Sequence, residues 1–563
     1  MRSSLFLSYL LAACVPPNSP VVAHALPPQH GDSSPFAPRA STTSVKGSWL
    51  NVWPLSLIRT TLTDDDVIPL KPNYDRQVVL RFNVSTYEHE AAFRRAADQM
   101  LLDIWDFGPS YTDIRIPKNR IRGFLNMLPE PMRSDHMVLI QDLARAVAAT
   151  YPAPKDRHDF ASAVRQGQTP ADTRNRGQGV NDLFKKHQMD DLFFKDYQPL
   201  ETISSWMQYF ASMFKYQKEG LVSLISIGKS FEGRDIPALR LGLDTQRHHT
   251  KKSPRKTILI TGGMHAREWI SVSTVNYLAN MFASKIGKDD VVDAMLKHFD
   301  LVFVPVLNPD GYEYTWTVDR LWRKSRQITT MRYCHGYDLD HSFGYGWNAV
   351  EHQSDPCSES YGGNEPFQAV EASQLARWAA NETNHNVDFV AYIDLHSYSQ
   401  QILWPYAYSC DAKVPNLENM QEVAMNIAKY MRLLGTGEYY SVGSACESAV
   451  SGSAPTEEGM ESVQNRRIEA AGGAAIDYFH HDLKARYSFQ IKLRDTGSYG
   501  FLLPRDNIVP VGDEVFEAVR FLGDYMLGNN GIEMVPDANE GQQQTMPSES
   551  EPSGFELRRR KRR

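Results

Sequence analysis

In the stretch KTILITGGMHAREW an apolar run ends in two glycines, and His265 and Glu268 follow three residues apart. An imidazole and a carboxylate at that spacing can each give one ligand to the same metal ion. The loop after the carboxyl end of a strand is also where open α/β sheets build their sites. A second apolar run, VDFVAYIDLH, ends in His396. Together His265, Glu268 and His396 make a His₂Glu set with one coordination position left open, the donor pattern of a catalytic zinc. Either histidine alone reads as an ordinary surface or core residue; their joint placement at the ends of two buried strands is what favours a metal. Asp338, in GYDLDH, is available to orient a ligand imidazole, as metal-bound histidines require, or is simply a turn residue.

The elements that must hold these residues form an α/β domain over about residues 190–529. Strand-like runs (VSLISIG, IPALRLG, KTILITGG, LVFVPVL) alternate with helical patterns such as WISVSTVNYLANMFASKI and VEASQLARWAANET, which implies a sheet covered by helices on both faces. Residues 77–149 carry a smaller α+β pattern. There QVVLRFNV reads as a strand and EHEAAFRRAADQMLLDIWDF as one amphipathic helix. Residues 150–189 turn polar, Pro- and Gly-containing and rich in Arg and Lys, the composition of an exposed, protease-sensitive linker. Residues 26–76 read as an N-terminal extension, and 530–563 as a disordered polar tail ending in RRRKRR.

With 563 residues, 42% of them hydrophobic, the chain can bury a sizeable core, and a net charge of −7 gives no reason to expect nucleic acid. Residues 1–25 have the form of a signal peptide: Arg2, an apolar run from Leu5 to Val15, and the small-x-small sequence at Ala23 and Ala25. No later run is long enough for a membrane span, so a secreted, soluble mature chain is expected. Outside that segment stand Cys334, Cys357, Cys410 and Cys446, an even number suited to two disulfides. Three connectivities are open, and the sequence-neighbour pairing is preferred because each bridge then closes a local excursion. Asn83 (NVS) and Asn381 (NET) are glycosylation acceptors.

The segments GGMHAREW, DRLWRKSR, GYDLDHSFGYGW, DLHSYSQ and RDTGSYGFLLP, in this order over about residues 195–525, resemble the zinc metallocarboxypeptidases related to pancreatic carboxypeptidases A and B. The resemblance implies a mixed central sheet flanked by helices, one zinc ion on His265, Glu268 and His396, and a small α/β pro-domain over the cleft, which residues 77–148 resemble more loosely. It also implies that Arg267 and Arg323 polarise the scissile carbonyl and hold the peptide, and that Ser397 and Tyr398 line subsites. Ile476, in AAIDYFHH, would floor an apolar specificity pocket, and a Cys334–Cys357 bridge is typical of secreted members.

Three departures accompany the resemblance. Lys492, among Phe489, Ile491 and Leu493, stands where active members carry the glutamate that moves a proton from water to the leaving amine. An ammonium there would also repel a metal 4 to 5 Å away by something on the order of 3–4 kcal/mol. Asp340 and His341 replace an Asn-Arg pair that grips the substrate's terminal carboxylate. Arg467, Ile468 and Glu469 fall where a mobile loop should present a tyrosine.

The resulting expectation is a catalytically inactive zinc-binding homologue. It is similar to the inactive metallocarboxypeptidase-like proteins of fungi associated with cell-wall organisation, which are secreted or vacuolar. Two alternatives accompany it: a working carboxypeptidase with altered specificity, and a module whose zinc cleft holds a protein or peptide partner, its own N-terminal domain among the candidates.

Overall fold

The computed structural model describes residues 74–152, 192–243, 253–347, 355–448 and 472–529, apart from residues 109, 218–220 and 436. The signal, most of the linker, the Arg467–Glu469 loop and the basic tail lie outside the described residues.

A four-stranded sheet contains β1 (Gln77–Asn83), β2 (Asp103–Phe107), β3 (Tyr111–Pro117) and β4 (His136–Ile140) in the order β2-β3-β1-β4, all neighbours antiparallel. Four helices accompany it: α1 (Tyr87–Gln99), α2 (Ile121–Met127), α3 (Glu130–Ser134) and α4 (Leu143–Thr150). The single helix expected through Phe107 ends at Gln99 instead. Leu101 takes a left-handed conformation (φ 48°), and Leu102 N–H bonds back to Ala97 O at 3.0 Å, so the chain reverses. DIWDF then leaves as strand β2, which carries two acids and a tryptophan instead of a helix's last turn.

The large sheet contains β5 (Val222–Lys229), β6 (Asp235–Leu241), β7 (Arg255–Thr261), β8 (Phe299–Val304), β9 (Val387–His396), β10 (Gln401–Trp404), β11 (Ser441–Ser444) and β12 (Tyr487–Lys492). Its order is β11-β10-β12-β9-β7-β8-β6-β5, mixed, with β12, β9, β7 and β8 mutually parallel at the centre. The helices are α5 (Leu200–Gln217), α6 (Trp269–Lys285), α7 (Asp290–His298), α8 (Pro309–Thr317), α9 (Val370–Asn384), α10 (Leu417–Leu434), α11 (Ala445–Ser448), α12 (Ala475–His481) and α13 (Ile508–Met526).

Alternate residues of each central strand enter opposite cores, which is why the strands are apolar throughout. Ile258, Ile260, Leu301 and Phe303 pack with Trp206 of α5, Trp269 and Leu278 of α6, Ile427 of α10 and Val519 of α13. Leu259, Val302 and Val304 pack with Leu375 and Ala379 of α9 and Phe479 of α12. In β9 the pairing steps from Thr257↔Phe389 to Ile258↔Ala391, so Val390 is an extra residue. One inserted residue exchanges the faces beyond it. It fixes which side of the sheet Tyr392, Asp394 and His396 share.

Both sheets belong to the same compact unit. Tyr74, Val79, Trp105, Leu143 and Val147 of the N-terminal part share one apolar cluster with Leu321, Tyr398, Phe501 and Leu502 of the larger part. Thr150 and Tyr151, at the start of the compositional linker, are packed: Tyr151 meets Trp269 and Trp316 edge-on and donates to Thr315 O at 2.9 Å. The disulfides are Cys334–Cys357 and Cys410–Cys446, with Cα atoms 4.9 and 5.3 Å apart, the sequence-neighbour pairing. Asn83 and Asn381 are both exposed.

Candidate metal centre and its cover

After β7 the chain turns through Gly262 and Gly263. A Cβ on Gly263 (φ 61°) would lie 2.9 Å from Pro305 O, and one on Gly262 would lie 2.9 Å from Ser271 O. Only glycines allow this approach. Gly262 N–H bonds to Val304 O at 2.9 Å and Ala266 N–H to Arg323 O at 2.9 Å, so the loop carrying His265 is held between β8 and the Arg323 segment. Glu268 is the residue on which α6 begins.

The structure brings His265, Glu268 and His396 together as a buried trio. His265 Nδ1 lies 2.9 Å from Glu268 Oε1, His396 Nδ1 lies 3.2 Å from Glu268 Oε2, and the two Nδ1 atoms are 3.1 Å apart. Donors around a tetrahedral zinc at about 2.0–2.1 Å stand about 3.3 Å from one another, so these separations fit a shared ion. The outer ring nitrogens are occupied by acids. His265 Nε2 is 2.9 Å from Asp338 Oδ1, which directs the Nδ1 lone pair inward, and His396 Nε2 is 3.1 Å from Asp394 Oδ2. Ser397 N–H donates to Glu268 Oε2 at 2.9 Å. Burial alone would raise the Glu268 carboxyl, but His265 and His396 outweigh it and hold it well below the usual range.

Asp338 serves more groups than the one imidazole expected of it. Its Oδ2 accepts from Arg323 at 2.7 Å and stands 2.7 Å from His341 Nδ1, while Oδ1 also takes the Asp340 N–H at 3.2 Å. Burial opposes its ionisation, yet Arg323, His341 and His265 keep it well below the ordinary carboxylate value. The same carboxylate, outweighing burial, raises the pKa of His341. Asp340 is engaged elsewhere: Oδ1 accepts Ala475 N–H at 3.1 Å, and Oδ2 accepts Gln490 Nε2 at 2.8 Å. Ile476 is fully buried at the start of α12.

Lys492 closes β12, in register with His396 on one side and Gln401 on the other. Among the described residues no hydrogen bond or ion pair ties its ammonium to Glu268. Its charge acts on Asp106 of β2: burial pushes that carboxyl up to about 6, while Lys492 and the Tyr111 hydroxyl pull against the rise.

Asp106 belongs to an acidic edge that β2 and β3 lay over the cleft. Asp103 accepts from Arg267 Nη1 at 2.9 and 3.0 Å. Asp113 accepts from Tyr398 Oη at 2.8 Å and from Arg81, whose Nη2 also reaches Thr496 O at 2.8 Å. Trp105 and Tyr398 both pack edge-on against Phe501. Arg267, Arg323 and Tyr398, expected to face a peptide, are thus held by Asp103, Asp338 and Asp113. Sequence reasoning passed over Asp103, Asp106, Asp113 and Asp394. Only Asp394 left a local sign, as an acid two residues before His396 in a largely apolar strand, on the same face as the ligand.

A family profile described as zinc carboxypeptidase matches residues 203–518. The chain is 47% identical over 474 residues to the inactive metallocarboxypeptidase ecm14 of Sclerotinia sclerotiorum, covering 84% of this chain and 76% of the relative. It is 46% identical over 466 residues to the inactive metallocarboxypeptidase ECM14 of Blastomyces gilchristii, covering 82% and 74%. Among solved structures it is similar to thrombin activatable fibrinolysis inhibitor at 25% identity and TM-score 0.62, over 81% of this chain and all of that one. The carboxypeptidase A of Helicoverpa armigera shares the fold, with TM-score 0.61 and 22% identity over 80% and 97% of the two chains.

Proposed function

The chain belongs to the zinc carboxypeptidase family, and we propose that it keeps that family's fold and metal pocket without its peptidase reaction, its cleft covered by its own N-terminal part. Lys492 carries this reading. It ends β12 beside His396, where an ammonium offers no lone pair to a proton. The neighbouring acids are committed: Glu268 to the two histidines, Asp338 to His265, Arg323 and His341, and Asp340 to Ala475 and Gln490. None of them is free to replace the base.

His265, Glu268 and His396 would hold one zinc ion, which when bound would supply a Lewis acid in the cleft. Around it the chain's own residues orient and neutralise. Asp338 fixes the His265 ring and draws Arg323 and His341 toward itself, and Asp103 occupies Arg267. Those contacts draw Arg267 Nη1 and Arg323 Nη2 to acids of the protein itself, away from a substrate carbonyl, which weighs against a working enzyme of altered specificity. The names of the fungal relatives support the same reading.

The N-terminal part is the standing occupant of the cleft in this reading, and an outside peptide would have to displace the Asp103–Arg267 and Asp113–Tyr398 contacts. The signal-like N-terminus, the two disulfides and the exposed Asn83 and Asn381 support passage through the secretory pathway to a secreted or vacuolar site. A part in cell-wall organisation follows from the resemblance to the fungal proteins. A direct test incubates purified, linker-cleaved protein with a peptide panel and zinc. The expected outcome is no release of C-terminal residues; zinc-dependent release that His265→Ala abolishes would overturn the reading.

A further inference from the structure

We propose that a cavity between the C-terminal end of α12 and the segment joining β10 to α10 binds a small anion built on a flat aromatic ring. The cavity measures about 510 Å³. Sites for small organic molecules run from roughly 300 to 1,000 Å³, so a single ring with a charged substituent fits it. None of His265, Glu268, His396 or Lys492 lines it. The site is therefore separate from the metal centre and does not depend on how that centre is read.

Its walls are rings held in place by the protein. Tyr345 stands 5.5 Å from Tyr406 and 5.2 Å from Tyr408, centroid to centroid, and stacks on His481 at 3.8 Å. Tyr406 Oη lies 3.3 Å from His481 Nδ1, and behind this wall Asp477 accepts the N–H groups of Ala407 and Tyr408. The Cys410–Cys446 disulfide follows directly and ties down the same segment. A fixed aromatic wall offers stacking and edge-on contacts to another ring without paying to order itself first.

The rim supplies charge of one sign. Lys413, Lys484 and Arg486 line the cavity and are exposed, and among the described residues no aspartate or glutamate lines it. Asp411 and Glu418 lie close by in sequence but outside the lining. Asp482 also lies outside it; burial raises its pKa, and His481 and Lys484 pull against the rise. Two lining residues that are not glycine, Lys484 (φ 61°) and Asn416 (φ 56°), are held in the left-handed region. Such conformations gather at ligand sites, and here the Lys484 conformation sets where its ammonium leaves the chain. Ammonium and guanidinium groups above a wall of rings select a carboxylate or phosphate attached to an aromatic ring.

The test titrates the purified full chain by calorimetry with phenyl phosphate and benzoate, and with inorganic phosphate and phenol as the separate halves of the ligand. One equivalent of an aryl anion should bind at least tenfold tighter than either half, and rising salt should weaken it. The double variant Lys413→Gln, Lys484→Gln changes two exposed side chains and should weaken binding at least tenfold, while Glu268→Gln leaves it unchanged. Whichever of phenyl phosphate and benzoate binds tighter identifies the anionic group. Three outcomes overturn the proposal: no saturable binding of either aryl anion, inorganic phosphate binding as tightly as phenyl phosphate, or binding that survives the double lysine variant. In that last case loss in Glu268→Gln would place the anion at the metal centre instead.

Discussion

The two halves of the cleft differ in what has been kept. At the ends of β7 and β9, His265, Glu268 and His396 converge with their outer nitrogens facing acids. A strand away, at the end of β12, the residue is an ammonium, and the former substrate clamp is an acid and an imidazole bound into the protein itself. In the proposed reading, metal holding and peptide turnover therefore depend on different residues of one pocket. The second set can be lost without disturbing the geometry of the first.

The sharpest way to break this contrast is to attack the retained half. Glu268→Gln removes a ligand and should cost zinc affinity more than the roughly 10–100-fold typical of losing an outer carboxylate such as Asp338, as read by competition with a chromogenic chelator. Next in size is the cover. Asp103→Ala would strand Arg267, whose side chain is fully buried, and should lower stability by about 3 kcal/mol in urea unfolding of the full chain. A loss under 0.5 kcal/mol would mean that the cover is only loosely seated.

A smaller effect lies in the pH dependence. Asp477 accepts Ala407 and Tyr408 N–H, and burial pushes its pKa up to about 7. The native state thus binds this proton more tightly than the unfolded chain, where the carboxyl titrates near 3.9. Its contribution is complete below about pH 4 and is lost as pH rises through about 7, with a slope of at most about 1.4 kcal/mol per pH unit. Asp477→Asn should flatten that part of the stability profile. The smallest expected effect is on turnover: Lys492→Glu alone should leave peptide release at background, because Asp340 and His341 remain. Measurable turnover would show that the missing base is the whole lesion.

Much of this was legible in the chain because the signals were local. The His265–Glu268 spacing, the apolar strand leading to His396 and the alternation of strands and helices each lie within one segment. What stayed hidden depends on distant partners. Asp103 and Arg267 meet across 164 positions, and nothing near either names the other. The break of α1 at Gln99 was obscured because EHEAAFRRAADQMLLDIWDF keeps a helical apolar rhythm past the left-handed Leu101, and pairing with β3 overrides it. Lys492 was conspicuous as a charge in an apolar strand, but its influence on Asp106 required both sheets.

The strand order also sets a schedule for synthesis. β9 pairs with β7, which precedes it by more than 120 residues, and with β12, which begins about 90 residues after it ends. Pairings of such separation form late, because long loops must close first. The N-terminal sheet and its helices are complete by Thr150, long before His396 emerges. The lid is therefore made before the vessel, and the central strands that carry His265 and His396 assemble with that cover already synthesised.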